Sequence, residues 1–393
     1  MRVAINVEQL FYRAPGGTGR YTARLAAEIA RAGDTVVPFL AWHRREEIAA
    51  TFRRHGLEGI GASRAVRLPL PRPLLFDAWN TLGAPAPQGL SKAIRSAEII
   101  HATSVAVPPV RRVPLVVTVH DAGFAVFPEA YPRRGRRFHV AGVRRAARSA
   151  DVVIAPSEAA GDEIAAHSPI RRSQIRVVHH GVDHHLADTV AVTDVLSRRG
   201  LDDAPYVFWV GSLDPRKNVG TLVAAMARLV GRDGSDGAPL RLVLAGPAGW
   251  KDEHLFSDAD LAALGDRLRV LGAVDDDELR CLYAGAACFA FPSLHEGFGL
   301  PVLEAMVQGT PVVCADIPAL REVAGEAALF VTPTDVEAWA EALGTVTGDP
   351  ARRQALVSAG TSRAAGFTWD RAAAETRAIY RELLGAPARG RRR

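Results

Sequence analysis

Short apolar runs recur along the chain at residues 2–7, 35–40, 66–68, 98–101, 114–120, 151–155 and 175–179. They recur again at 206–210, 240–245, 268–271, 288–291, 311–314 and 328–331. Runs that do not alternate with polar residues fit strands buried on both faces, and the segments between them are long enough for helices, such as 20–31 and 219–230. Alternation of this kind predicts doubly wound parallel sheets with helical crossovers, an α/β fold. Between about 186 and 205 the apolar runs stop and the pattern turns polar, which predicts a link between two domains. The expected division is therefore residues 1–187, a linker at 188–204, a second domain at 205–370, a helix at 371–385 and a basic tail at 386–393. The Pro-rich run 69–87 reads as an irregular loop bordering an acceptor.

The 393-residue length fits two or three domains, and 48% hydrophobic residues supply ordinary cores. No apolar run approaches ~18 residues and the chain starts directly in a strand, so neither a membrane span nor a signal peptide is expected and the cytoplasm is the default. The three cysteines, Cys281, Cys288 and Cys314, lack metal or redox spacing and read as buried small residues. Charge is uneven. Residues 1–190 carry 26 Lys and Arg against 16 Asp and Glu, and residues 191–393 hold 22 against 27. An anionic partner is therefore expected for the front half alone. Part of that excess lies at 133–148, where seven arginines border Phe138, Val140, Val143 and Ala147. This basic amphipathic helix has two readings, a solvated face or a contact with anionic lipid on the inner face of the membrane.

The candidate chemistry concentrates at Phe291-Pro-Ser-Leu-His-Glu-Gly-Phe-Gly-Leu-Pro-Val-Leu-Glu-Ala-Met306. A buried strand runs into a turn with Gly297 and Gly299, and Pro301 opens a helix where a missing N–H costs nothing. Glycines admit a ligand to the backbone, and a helix N-terminus favours phosphate, so the turn reads as an anion seat. Glu296 and Glu304 bracket it; so near a phosphate, carboxylates serve better as acceptors for sugar hydroxyls. After the strand at 206–210 comes Gly211-Ser-Leu-Asp-Pro-Arg-Lys-Asn218, where Arg216 offers a planar fork and Lys217 a point charge for a diphosphate. Asp275-Asp-Asp-Glu278 precedes a helix and reads as N-capping rather than metal binding. The histidines of 179–185 lack an accompanying ligand set, and no metal is expected there. His101 and His120 each close a strand, the end at which ligands collect in open α/β sheets.

Glu296, seven residues and Glu304, wrapped around Gly-Phe-Gly-Leu-Pro, resemble the E-x7-E motif of retaining glycosyltransferases of family 4. Residues 211–218 resemble the family's G-R-x-x-x-x-K-G segment, with Lys217 on its lysine and Ser212 in place of its first arginine. The resemblance implies the GT-B architecture: two Rossmann-like domains facing across a cleft, the first binding the acceptor and the second the nucleotide sugar, with the terminal helix crossing back to the first. It implies that Glu296 contacts the transferred sugar and Glu304 the ribose, while backbone groups of Gly297, Phe298, Gly299 and Leu300, together with Gly211 and Ser212, lie near the donor. Gly16 and Gly17, in the Pro15-Gly-Gly-Thr-Gly19 loop, are implied near the diphosphate. His120, followed by Asp121, is implied to reach the sugar. Lys217 and Arg216 would stabilise the leaving group.

The expected function is transfer of a hexose from a nucleotide diphosphate sugar, GDP-mannose favoured, to a hydroxyl acceptor in polysaccharide or glycolipid assembly, with no cofactor and no metal. The acceptor would be lipid-linked if the 133–148 helix meets a membrane, and no nucleic-acid partner is expected. Two alternatives stand: a phosphorylase or sugar-phosphate synthase of the same fold, and a catalytically silent subunit of an assembly complex.

Overall fold

The computed structural model describes residues 1–13, 15–110, 112–232, 240–247 and 256–386. The chain forms two compact units, residues 1–181 with 368–393 and residues 182–367. In the first, seven parallel strands lie in the order β3-β2-β1-β4-β5-β6-β7: β1 (Arg2–Asn6), β2 (Thr35–Leu40), β3 (Val66–Arg67), β4 (Ile99–Ala102), β5 (Leu115–Thr118), β6 (Val152–Ala155) and β7 (Ile175–Val177). In the second, six parallel strands lie in the order β10-β9-β8-β11-β12-β13: β8 (Tyr206–Val210), β9 (Arg241–Ala245), β10 (Leu268–Gly272), β11 (Cys288–Phe291), β12 (Val312–Ala315) and β13 (Leu329–Val331). The winding reverses once in each sheet, between β1 and β4 and between β8 and β11. Loops leaving the two central strands there diverge, and the crevice they leave at the carboxyl ends is where an open α/β sheet takes its ligand.

The helices needed to place the site are α1 (Gly16–Arg31), α2 (Arg72–Thr81), α3 (Arg133–Ser149), α4 (Thr189–Arg198), α5 (Val219–Arg232), α6 (Asp276–Gly285), α7 (Leu300–Val307) and α8 (Trp369–Gly385). Several depart from the sequence expectation. Helix α1 begins at Gly16, so the expected glycine loop is instead its first turn, closed by the Gly19 N–H donating to the Pro15 carbonyl at 3.0 Å. The Pro-rich run 69–87 contains α2. Pro73 falls in its first turn, where proline is tolerated, and Leu75, Phe76 and Trp79 bury one face, each contributing about 1.5–3 kcal/mol. The expected linker 188–204 contains α4, capped by the Asp188 carboxylate on the N–H groups of Val190 and Ala191 and packed against α6. Its polar residues face solvent while Val195 and the following Leu201 are buried, so a mostly polar string still makes a packed helix. The chain changes unit at Gly181 and again after Phe367.

Helix α3 uses its apolar face within the first unit. Phe138 stacks on Phe76 with ring centroids 5.3 Å apart, Val143 and Ala146 are buried, and Gly142 lies so close to Val105 that a Cβ would sit 2.2 Å from its carbonyl oxygen. Arg133, Arg134, Arg136, Arg137, Arg144 and Arg148 are exposed, whereas Arg145 donates to the Trp79 carbonyl at 2.8 Å. Helix α8 packs along α1. Its Tyr380 hydroxyl meets His101 Nδ1 at 2.6 Å and its Arg377 pairs with Asp34 at 2.6 Å. The tail at 387–393 lies outside the described residues. Among the described residues no helix is long and apolar enough to cross a membrane.

Candidate active site

The reversal between β8 and β11 brings together the two turns that the sequence singles out. The turn after β8 is shaped by Asp214, whose carboxylate accepts from the Arg216 N–H at 3.1 Å and from the Ser212 hydroxyl at 2.7 Å. Asn218 adopts φ +52° and donates to the carbonyls of Pro292 at 3.1 Å and Pro333 at 2.7 Å. The Leu294 N–H donates to the Arg216 carbonyl at 2.9 Å, and an Arg216 N–H returns to the His295 carbonyl at 2.9 Å. Six bonds thus fix the cation-bearing turn and its neighbour.

At their junction Lys217 Nζ donates to Glu296 Oε1 at 2.6 Å, with an Arg216 guanidinium nitrogen 3.8 Å from Oε2. The Lys217 and Glu296 side chains are only 13% and 12% exposed. Burial would raise the Glu296 carboxyl, but the charges of Lys217 and Arg216 and the Lys217 hydrogen bond outweigh it and hold the group below its ordinary value. Glu296 is therefore an ionised acceptor at neutral pH, and the three side chains together carry one net positive charge.

Beside them α7 opens. Gly299 takes φ +103°, a conformation that suits glycine, and turns the backbone into the helix. Among the described residues the N–H groups of Gly299 and Leu300 meet no hydrogen-bond acceptor, although both residues are buried. Donors left in this state at a helix start are suited to an anion. Phe298 and Leu300 point their side chains into the protein, Phe298 edge-on to Phe367 at 5.9 Å, so only their backbone is offered to a ligand. Glu304, in the second turn of α7, accepts the Tyr283 hydroxyl at 3.0 Å. Gly211 caps β8 against the Trp209 ring.

Sequence reasoning missed three residues that shape this site. Gly246, at φ +134°, lies where a Cβ would be 1.8 Å from the Gly211 carbonyl oxygen; its signal was a glycine directly after a buried strand. Asn218 could have been found as a residue tolerant of positive φ before a helix. Tyr283 gave no sequence signal. Among the described residues no group of three His, Cys, Asp or Glu side chains is placed to hold a metal ion, and Asp275 caps α6 by accepting the Glu278 N–H at 2.8 Å.

In the first unit Gly16 and Gly17 are exposed in the first turn of α1. His120 lies two residues beyond β5 with both ring nitrogens engaged. Nε2 faces the Thr103 carbonyl at 3.0 Å, which can only accept, so Nε2 carries the proton and Nδ1 accepts from His180 Nε2 at 3.3 Å. Burial lowers His120 below its ordinary value, and the ring is neutral. As found, its imidazole holds the loop and offers neither nitrogen to a sugar.

Residues 197–363 match the family model described as glycosyl transferases group 1, and residues 15–186 match that described as glycosyltransferase family 4. The chain is 31% identical to D-inositol 3-phosphate glycosyltransferase 1 of Catenulispora acidiphila, over 70% of this chain and 68% of that one. The chain belongs to the family 4 glycosyltransferases. This glycosyltransferase is also 28% identical to the O-antigen chain mannosyltransferase B of Escherichia coli, over 98% of its own length and 100% of the relative's. Among solved structures, sucrose-phosphate synthase from Thermosynechococcus elongatus superposes with a TM-score of 0.72 at 22% identity, covering 98% of this chain and 100% of that one, which shows the shared GT-B fold.

Proposed function

We propose that this glycosyltransferase moves mannose from GDP-mannose to a hydroxyl acceptor of polysaccharide or glycolipid assembly, with retention at the anomeric carbon. The carrying observation is the Lys217–Glu296–Arg216 group beside the unpaired N–H groups of Gly299 and Leu300. A diphosphate seated there draws Lys217 and Arg216 to its oxygens and frees Glu296 to accept a hydroxyl of the sugar, while Glu304 takes the ribose. The bond from the anomeric carbon to the diphosphate oxygen breaks, the acceptor oxygen bonds to the same face, and the acceptor proton passes to the departing phosphate. The cations and backbone dipoles stabilise the charge that develops on that phosphate. Mannose and the assembly setting are supported by the name of the full-length Escherichia coli relative. Gly211 and Ser212 complete the donor surroundings in this reading, Gly16 and Gly17 of the first unit are carried as donor-side candidates by the family resemblance alone, and His120 acts by holding its loop.

A thermal-shift screen against GDP, UDP, dTDP and ADP tests the donor: GDP should give the largest rise, because a ligand of the native state stabilises it in proportion to affinity. The anomer of the first product, read by NMR, tests retention. Turnover should persist in excess EDTA; loss restored by Mn²⁺ contradicts the metal-free scheme.

The same proposal includes peripheral contact with anionic lipid through the exposed arginines of α3, flanked on α2 by Leu74, 57% exposed, and just beyond it by Leu82, 78% exposed. Because the apolar face of α3 is buried, those leucines would supply the apolar contact. Sedimentation with neutral and anionic vesicles at low salt decides this; equal binding to both removes it.

A further inference from the structure

Asn218 closes the segment 211–218, at the position where the family segment that it resembles has glycine. Its φ of +52° and ψ of +32° account for a glycine there, because a residue without Cβ reaches this region at little cost. Asparagine reaches it too. What a glycine lacks is the carboxamide. Nδ2 donates to the Pro292 carbonyl at 3.1 Å and to the Pro333 carbonyl at 2.7 Å, and Oδ1 accepts the Thr221 hydroxyl at 2.8 Å. Carbonyls can only accept, so the chemistry of its partners fixes which end of the amide carries the nitrogen.

These partners belong to separate parts of the second unit. Pro292 follows β11, Pro333 lies in the turn after β13, and Thr221 stands in the first turn of α5. In the order β8-β11-β12-β13, β8 and β13 are three places apart, so no ladder sets the distance between their exits. The turn after β13 is itself anchored, its Thr332 carbonyl accepting the indole N–H of the fully buried Trp339 at 3.2 Å. Asn218 thus ties the cation-bearing turn to a fixed point at the sheet's far edge and, through Pro292, to the residue after Phe291. Lys217 Nζ stands 5.3 Å from the centroid of the Phe291 ring and 2.6 Å from Glu296 Oε1. A lysine side chain is long and flexible, and its ammonium is placed well only when its backbone is held still.

We propose that Asn218 is a positioning residue: its carboxamide, and not its backbone angle alone, sets where Lys217 stands between Glu296 and the diphosphate. The inference rests on the donor reading above and adds to it the residue that places the cation.

Lysine occurs only at positions 92, 217 and 251, so full-length enzyme labelled with ¹³C-lysine gives few signals, and Lys217→Met assigns the one needed. In the wild type the two Cε protons of Lys217 should have distinct shifts, as in a side chain held in one place. In Asn218→Gly, which keeps the backbone angle, they should merge. Hydrogen exchange should quicken at 212–218, 292–296 and 332–335 alone. GDP and UDP are titrated in parallel, and the nucleotide that binds should lose about fivefold or more in affinity in Asn218→Gly. If the asparagine serves its angle alone, Asn218→Gly matches the wild type in signal and affinity while Asn218→Ala loses both, and the proposal is overturned. It is overturned equally if exchange rises across the whole second unit, or if the wild-type shifts are already merged. Should Asn218→Gly fail to fold, Thr221→Val, which removes only the hydroxyl on Oδ1, reads the same signal: converging shifts support the role and unchanged shifts overturn it. A wild type that binds neither nucleotide counts against the donor reading, and the lysine signal still decides whether Asn218 holds Lys217.

Discussion

Glu296→Gln should strengthen nucleotide binding while it damages transfer. The substitution keeps the shape and removes the charge, so Lys217 loses the partner now 2.6 Å away and two cations are left without their carboxylate in a largely buried place. Charge-assisted hydrogen bonds contribute ~1.5–3 kcal/mol, and breaking one side of a nearly buried pair should cost the unliganded protein about 1–3 kcal/mol. A diphosphate entering the wild type must draw Lys217 away from that carboxylate; in the variant it need not. If about 1.4 kcal/mol of the pair opposes binding, affinity for the nucleoside diphosphate rises tenfold. Transfer should fall about 10- to 100-fold, because an amide accepts a hydroxyl proton less strongly than a carboxylate. Isothermal titration with the nucleotide chosen by the thermal-shift screen, alongside initial rates, reads both effects. Lys217→Met is the control and should lose at least about tenfold in nucleotide affinity. Weaker or unchanged nucleotide binding in Glu296→Gln would falsify the idea that Lys217 is shared between carboxylate and diphosphate.

Acid should destabilise the first unit through His101, which burial lowers to about 3. Between about pH 3 and pH 6.5 the unfolded chain binds a proton there that the folded chain does not, so this contribution is complete above 6.5 and falls as pH drops. The loss from 6.5 to 5 is about 2 kcal/mol, and urea unfolding of His101→Gln should show a shallower pH slope than wild type. Gly246→Ala places a Cβ against the backbone of Gly211 and should cost about 2 kcal/mol or more in stability, together with nucleotide binding; a normal melting temperature would contradict the close approach. Tyr283→Phe removes the hydroxyl that holds Glu304 and should weaken nucleotide binding about two- to tenfold in the same titration.

Much of the fold was legible because the inner strands of both sheets, β1, β2, β4, β5, β6, β8, β9, β11 and β12, are almost wholly buried, and burial forces the apolar runs that mark them; the outer strands β3, β7, β10 and β13 are only partly buried. The order of the strands was not. Nothing in residues 206–210 or 288–291 states that β8 and β11 are neighbours, yet that adjacency creates the Lys217–Glu296 pair across 79 positions. Positions 188–204 and 69–87 misled for a different reason. Helices α4 and α2 bury narrow faces, and their polar or proline content hid a periodicity that needs only a few apolar residues. At α3 the period was legible and its partner was not. Phe138 and Val143 could face lipid or a core equally well, and only the stacking on Phe76 shows which. His120 was legible as a strand-end residue, but its bonds to Thr103 and His180 depend on loops far apart in sequence.

The charge distribution follows from the same geometry. Residues 191–393 are acidic overall, yet the Lys217–Glu296–Arg216 group within them is cationic because two short turns meet at one sheet reversal. On the proposed reading, attraction of a diphosphate comes from contacts at 211–218 and 297–300, within a few ångströms, and not from the field of the surrounding unit. Such contacts lie inside the Debye length of about 8 Å at physiological salt and are weakly screened. Residues 1–190 present the opposite case, an excess of arginine spread over exposed helix faces, where attraction is long-ranged and sensitive to salt. One chain thus holds a local cationic group, Lys217 and Arg216 around Glu296, and a diffusely basic surface. The first was readable from a motif because its residues are consecutive in each turn, and the second from composition because no particular arginine defines it.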